Sequence, residues 1–385
     1  MLIDRRTFAA GLLLSGCASP PRASGDQASL EAAVAGVRAR FGLVSLAAYV
    51  SLNGATLAET AQGARVLGRP TPVTTRDLWH IGSCFKAQTA TLLARLIQAG
   101  AAAWETTLPD IFPERAHAMH PDARRIALWH LVSSTAGLPE NPSLRESEEE
   151  QVEDVNALIA GASDDPSRRL RVLDRFTSIA PRTMPGSAWR YSNTGFILAG
   201  ACADRLGGAP FENLIRREVW APLGMNHAAF GAPSGPRAPW GHRPEGEALI
   251  PLPPDDPDSD NPSVFNSAGC AHMPFADWAR FAHDQLRGAQ GQGRLLSREA
   301  YARLHTPVLE GSPYALGWGA QVRDGALLQL THNGSNGFWF ADIRIYPQTG
   351  YVFLMATNDG RDIHEAAARD LRHILVERYA PIPPA

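Results

Sequence analysis

Ser83 and Lys86, in the run Ile81-Gly82-Ser83-Cys84-Phe85-Lys86, place a hydroxyl nucleophile and an amine base three residues apart. Lys86 is the one lysine of the chain; the other basic residues among its 36 lysines and arginines are all arginine. A chain of this length ordinarily carries roughly twenty lysines, so nearly every interchangeable cation has become arginine. A guanidinium stays protonated at any working pH, whereas a crowded or desolvated ammonium can lose its proton and act as a base. The retained lysine therefore marks a position where arginine fails. A helix from about Ser83 to Gly100, read from its alanine and leucine content and from Leu92, Leu93, Leu96 and Ile97, puts residues three apart on one face. Ser83 Oγ and Lys86 Nζ then become neighbours. The first N–H groups of such a helix lack internal partners and can hold a developing oxyanion.

The rest of the chain has to position that pair. Helical periodicity runs from about Gln27 to Arg40, and Val44 to Leu52 with Ala55 to Gln62 read as a hairpin around Asn53-Gly54. A short strand-like or loop segment, Asp77 to Gly82, leads into the Ser83 helix. The middle of the chain is helical and irregular, and its acidic run Glu146 to Glu150 with Glu153-Asp154 reads as a solvated face. Ala232 to Pro262 reads as loop, rich in proline and acid, and is long enough to form a functional lip. Strands return at Ala326 to Thr331, Gly337 to Tyr346 and Tyr351 to Thr357, and a helix from about Ile363 to Arg378 follows. This order predicts an α+β fold: an antiparallel sheet built from both termini and flanked by helices, with an inserted, mostly helical region. A cleft between the two parts is the expected site.

At 385 residues, with 44% hydrophobic and 19% charged residues, the chain can bury a large core, and its net charge of -3 gives no general attraction to nucleic acid. No repeat and no run long enough to span a membrane is found. Arg5-Arg6 followed by a short apolar run ending in Leu14-Ser15-Gly16-Cys17 reads as a lipoprotein export signal, with Cys17 the lipidated residue and Ser19 to Gly25 a tether. A membrane is expected to be met only through that anchor, in the cell envelope or periplasm. Residues 1–24 are thus assigned to signal and tether and 25–385 to a single catalytic domain, with its α/β part at about 25–100 and 265–385 and its helical part at about 101–264. Without Cys17, three cysteines remain; an odd number argues against a disulfide scaffold and leaves Cys202–Cys270 pairing open. Cys84 is expected to pack. His117 and His120 have helical spacing but no third ligand nearby, so no metal or other cofactor is expected.

Two further segments join the pair. Tyr191-Ser192-Asn193 offers a phenol and an amide on a short turn, and His332-Asn333-Gly334-Ser335 ends a strand. Taken singly, Tyr191 reads as a core tyrosine, Asn193 as a turn residue and His332 as a strand-end histidine. The order Ser-x-x-Lys, Tyr-x-Asn, His-x-Gly resembles the serine hydrolases related to class C β-lactamases and penicillin-binding proteins. The resemblance spans about Asp77 to Gly360, and His130 to Pro139 and Tyr314 to Gly319 match further family segments.

That resemblance implies Ser83 as nucleophile and Lys86 as its activator, with Tyr191 sharing the proton. Amine and phenol both titrate near 10 and would each have to come down toward neutrality. It implies that Asn193 binds the acyl substrate, that the backbone N–H groups of Ser83 and Ser335 form an oxyanion hole, and that Gly334 lets substrate approach the strand edge. His332 stands where relatives have Lys-Thr-Gly, whose cation and hydroxyl grip a carboxylate; a histidine there resembles the esterase and peptidase branches. No deacylating glutamate of the class A kind is found by motif, so Tyr191 and Lys86 are expected to act again on water. The expected function is hydrolysis of a small-molecule ester or amide, or of a peptide, through a Ser83 acyl-enzyme. A β-lactamase or D-alanyl-D-alanine carboxypeptidase-like enzyme is the alternative, and a non-catalytic penicillin- or peptidoglycan-binding protein is the alternative of another class.

Overall fold

The computed structural model describes residues 24–142, 155–246 and 248–379. The proposed signal, tether and Cys17 lie outside the described residues, as does the acidic run from Glu146 to Asp154. The strands are β1 (Ser45–Leu52), β2 (Ala55–Gly63), β3 (Trp79–His80), β4 (Ala229–Phe230), β5 (Gly241–Glu245), β6 (Ala248–Leu252), β7 (Ala271–Met273), β8 (Gly319–Arg323), β9 (Ala326–Ser335), β10 (Phe340–Tyr346) and β11 (Tyr351–Thr357). Six of them form one antiparallel sheet in the order β2-β1-β11-β10-β9-β8. Both ends of the chain thus meet in the sheet, as the pattern of strands predicts.

Side chains alternate across a strand, so a sheet covered on both sides must be apolar on both. β1 shows this: Leu46, Ala48 and Val50 pack beneath the helices Ser24–Phe41 and Ile363–Tyr379, while Ala47 and Tyr49 face the second helical layer. β11 repeats the split, with Phe353 and Met355 on one side and Val352, Leu354 and Ala356 on the other. The hairpin turns at Asn53 and Gly54, with φ of 50° and 85°, the left-handed conformations that a tight two-residue turn requires. The exposed edge of β2 is closed by Gln27, whose amide donates to Glu59 O at 2.9 Å and accepts from Glu59 N at 3.2 Å. That pairing satisfies the outward-facing backbone groups of Glu59 on the sheet edge.

The inserted region carries the helices Leu128–Val132, Asp165–Thr177, Asn193–Gly207 and Phe211–Ile215. Ala232 to Pro262 is not all loop: β5 and β6 pair within it as a hairpin. Proline and acid mask the alternation there, since Pro244 and Pro251 occupy strand positions of an isolated two-stranded pair, where a missing N–H costs little. β8 is likewise a strand the sequence pattern does not reveal, being five residues on the sheet edge with polar Gln321 and Arg323 exposed.

One ion-pair cluster locks the insert. The fully buried Arg169 is bidentate to Asp204 (2.8 and 3.0 Å) and also donates to Glu212 (2.9 and 3.2 Å). Asn266 donates to the same Glu212 at 3.0 Å, which ties this cluster to the short helix Asn266–Gly269. Removing the cation would leave two carboxylates facing each other with little water, a situation that costs about 3–5 kcal/mol in buried pairs. Arg169→Met is therefore expected to lose stability on that scale in urea unfolding; a loss below about 1 kcal/mol would contradict the assigned role of the cluster.

Candidate active site

Ser83 lies half-buried in a 3₁₀ turn, Gly82–Phe85, that runs directly into the α-helix Lys86–Gln98. Residues three apart eclipse in 3₁₀ geometry, so the tighter turn aligns the Ser83 and Lys86 side chains more closely than an α-helix would. Lys86 Nζ is 2.9 Å from Ser83 Oγ. It is fully buried and also donates to Asn193 Oδ1 at 2.5 Å and to Ala268 O at 2.7 Å. Burial lowers its pKa to about 7, and Cys270, Cys84 and, least of the three, Glu140 oppose that shift.

This geometry prepares a base. A neutral amine has two hydrogens and one lone pair, and Asn193 Oδ1 and Ala268 O can only accept. They take both hydrogens, which leaves the lone pair for the Ser83 hydroxyl. Asn193 is held in this orientation because its Nδ2 donates to Asn141 Oδ1 at 2.6 Å. Its backbone N–H donates to Glu140 O at 2.6 Å. Ser192 caps the helix Asn193–Gly207 by accepting from Gly195 N at 2.9 Å and donates to Pro139 O at 2.7 Å.

Tyr191 joins the cluster, with Lys86 Nζ 4.9 Å from its ring centroid. Its titration departs from expectation: burial raises its pKa, and the neighbouring Ser83 hydroxyl only partly offsets this. The phenol is deeply enclosed, and burial disfavours its charged form. Only the lysine of the expected pair is brought to neutrality.

His332 is buried on β9, and both its nitrogens are occupied. Nδ1 lies 2.6 Å from Asn333 O, an acceptor, so Nδ1 carries the hydrogen and Nε2 accepts from the Tyr314 hydroxyl at 3.0 Å. Burial, reinforced by Lys86, pushes its pKa down to about 3. The ring is therefore neutral, 6.3 Å from that of Tyr191, and is not a cationic grip. Tyr314 was visible in the sequence as part of a family segment, but nothing in the spacing ties it to a histidine eighteen residues away.

Gly334 is constrained by a contact that the sequence does not reveal. A Cβ there would lie 2.4 Å from both Ile81 O and Ser83 N, so the closely approaching neighbour is the nucleophile's own backbone. Gly82, with φ of +49°, faces Gly334 and Ser335 in the same way, at 2.7 Å and 2.8 Å. His80 steadies this turn. Its Nδ1 accepts from Gly82 N at 3.2 Å, its Nε2 donates to Asp260 at 3.0 Å, and its ring stacks on Trp339 with centroids 5.0 Å apart. Asn336 donates to the other Asp260 oxygen at 2.6 Å. Neither His80 nor Asp260 stands out in the sequence, because the contact spans 180 residues.

A cleft of about 440 Å³ opens over Ser83, with Asn193 and Ser335 in its walls and Asn261 and Pro262, from the acidic lip, at its side. Lys86, Tyr191, His332 and Gly334 lie beneath or beside it. A larger groove of about 960 Å³, bordered by the loop Thr306–Pro313, holds none of these residues, so size alone does not mark the site. Cys84 packs under the turn with Sγ 3.5 Å from His332 O, and burial raises its thiol pKa well above normal. Cys202 and Cys270 are free and buried. Among the described residues, no group of three or more His, Cys, Asp or Glu side chains is arranged to hold a metal.

The sequence matches the beta-lactamase family model over residues 30–378. The chain belongs to the beta-lactamase family and is by that membership a serine hydrolase with the predicted α+β fold. Penicillin-binding protein 4 of Amycolatopsis lactamdurans is 27% identical over 317 residues, covering 79% of this chain and 78% of that protein. The structure described as EstCE1, a hydrolase with promiscuous acyltransferase activity, superposes with a TM-score of 0.72 at 16% identity, covering 90% of this chain and 98% of that one. The D-amino acid amidase of Ochrobactrum anthropi SV3 does so with a TM-score of 0.68 at 20% identity, covering 91% and 99%. At such identities the two structures establish the shared fold.

A single lysine gives a single side-chain amine resonance. In protein carrying isotope-labelled lysine, the Lys86 signal is expected to titrate with a midpoint near 7, well below the ordinary value of about 10.4. A midpoint above about 9 would show that the buried amine remains an ammonium in the working range.

Proposed function

We propose that the protein hydrolyses an ester or amide through an acyl-enzyme on Ser83, with Lys86 as the general base. The observation that carries this reading is the placement of Lys86 Nζ, whose two hydrogens are taken by Asn193 Oδ1 and Ala268 O while its lone pair meets Ser83 Oγ at 2.9 Å. In the first step Lys86 accepts the hydroxyl proton as Oγ bonds to the substrate's carbonyl carbon. The backbone N–H groups of Ser83 and Ser335 hold the oxyanion. Collapse breaks the bond to the leaving group, which departs with a proton passed from Lys86 by way of the Tyr191 phenol. Water then attacks the acyl-enzyme, losing its proton to the same base, and Ser83 is restored. Tyr191, held as a phenol by burial, serves here as a proton carrier. Asn193 serves twice, orienting Lys86 and presenting its edge to the substrate in the cleft.

His332, Gly334 and Ser335 form the wall opposite Asn193, with Ser335 in contact with substrate and the other two shaping the strand behind it. Export and lipidation at Cys17 belong to the same proposal and rest on the run Leu14-Ser15-Gly16-Cys17. So does the reading of residues 25–385 as one catalytic domain. The similarity to penicillin-binding protein 4 supports a second reading, acylation by penicillins. Lasting labelling of Ser83 by a fluorescent penicillin would favour it.

The test is hydrolysis of p-nitrophenyl acetate. Ser83→Ala is expected to abolish turnover while the variant stays folded. Lys86→Arg keeps the charge and loses only the deprotonated form, so its kcat/KM should fall by at least about 10²-fold. Because Lys86 must be neutral to accept the proton, kcat/KM should rise with pH through about 7 and level off above it. Full activity in Lys86→Arg, or a flat profile from pH 5 to 8, would refute the assignment of the base.

A further inference from the structure

The two N–H groups that receive the oxyanion in this reading each follow a glycine, and the two glycines face each other. A Cβ on Gly334 would lie 2.4 Å from Ser83 N, and one on Gly82 would lie 2.8 Å from Ser335 N. Glycine is the least restrained residue, so whatever holds Gly82 sets where the Ser83 N–H points. Gly82, with φ of +49°, opens the 3₁₀ turn, and the first N–H groups of such a turn find no partner within it. The Gly82 N–H instead donates to His80 Nδ1 at 3.2 Å.

That acceptor exists in only one form of the ring. Nδ1 must be free of hydrogen, so the ring hydrogen sits on Nε2, and the Asp260 carboxylate, which can only accept, holds it there at 3.0 Å. Asp260 is itself fixed. Its other oxygen accepts from Asn336 Nδ2 at 2.6 Å and from Asn261 N at 2.8 Å, while Asn336 Oδ1 accepts from Phe338 N at 3.3 Å and so fixes which way that amide points. The side chains of His80 and Asp260 are 0% and 7% exposed. Neither is among the described residues that line the cleft.

Resting on the acyl-enzyme reading, we propose that Asp260 and His80 are positioning residues that set the oxyanion hole. The chain Asn336–Asp260–His80–Gly82 begins one residue after Ser335 and ends one residue before Ser83, so it fixes the separation and aim of both donors from behind. Asp260 selects the tautomer, and the tautomer decides whether Gly82 is held. Because Asn261 and Pro262 edge the cleft directly after Asp260, the acidic lip acts on the reacting centre without touching it.

Asp260→Asn isolates this step. Asn336 Nδ2 and Asn261 N both point at one oxygen of Asp260 and would keep the new amide oxygen there, so its NH₂ faces His80 Nε2. The ring must then accept on Nε2 and carry hydrogen on Nδ1, where it opposes the Gly82 N–H. With p-nitrophenyl acetate, kcat/KM is expected to fall by about tenfold or more, since a 1 Å misplacement can cost about 10²-fold. Affinity for phenylboronic acid should fall in parallel; its boron takes Ser83 Oγ as a fourth ligand, the hydroxyl proton passes to Lys86, and a boron-bound oxygen meets the same two donors. The Lys86 amine should still titrate near 7, which separates displaced donors from a collapsed site. His80→Gln can donate to Asp260 but offers Gly82 no acceptor at the Nδ1 position, and is expected to lose as much. Wild-type kcat/KM in either variant, each checked for folding by thermal unfolding, would overturn the proposal, as would a loss accompanied by a displaced Lys86 midpoint. Nitrogen NMR of histidine-labelled wild type is expected to show the His80 hydrogen on Nε2; hydrogen on Nδ1 overturns the proposal even where neither variant folds. Ser83→Ala separates the two levels. Turnover that depends on Ser83 but not on Asp260 or His80 overturns only their positioning role, whereas turnover that persists in Ser83→Ala, or is absent from the wild type, removes the acyl-enzyme reading and this proposal with it.

Discussion

The buried amine of Lys86 is the constraint on which the site depends. A lysine Nζ with no exposure to water must have its hydrogens and lone pair partnered within the protein, and the three partners come from three segments: Ser83 in the turn before the helix, whose hydroxyl meets the lone pair, Asn193 at the start of another helix, and Ala268 in a short helical turn before β7. None of these segments can shift without stranding a polar group. The same burial that imposes this requirement lowers the amine to about pH 7, so the cost of burying the lysine is also what makes its neutral, proton-accepting form available. A guanidinium, larger and always charged, satisfies neither condition.

The surrounding structure can be understood as what keeps those segments in register. Ser192 caps its helix and reaches Pro139, which ties Asn193 to the segment from His130 to Glu140. Arg169, through Glu212 and Asn266, steadies the turn that bears Ala268. On the other side, the end of β9 lies so close to the Ser83 turn that Gly82 and Gly334 meet without room for a side chain. The His80–Asp260–Asn336 chain links this contact to the acidic lip. Sheet, insert and lip thus each contribute one wall, and the nucleophile stands where they meet.

His332 illustrates how context sets chemistry. On β9 it occupies the position where a cation would face an incoming carboxylate, yet the buried site and the Tyr314 hydroxyl hold it neutral. Tyr191 illustrates the converse: a phenol expected to come down toward neutrality goes up, because its own burial disfavours the phenolate. Titration here belongs to the pocket as a whole rather than to any residue type.

The sequence by itself determined the sheet's origin in both termini, the hairpin at Asn53-Gly54, the helix that follows Ser83 and the membership of Ser83, Lys86, Tyr191, Asn193 and His332 in one constellation. These are legible because local periodicity, turn chemistry and motif order are properties of neighbouring residues. Tertiary structure alone decided that β5 and β6 pair inside the acidic segment, that Gly334 is pressed against Ser83, that the three inner cysteines stay unpaired, and that His80, Asp260, Glu140 and Tyr314 join the site. Those outcomes depend on contacts between residues far apart in sequence and on how deeply each group is buried. Desolvation, which decides whether a lysine is a base or a histidine a cation, is set only when the chain has closed around it.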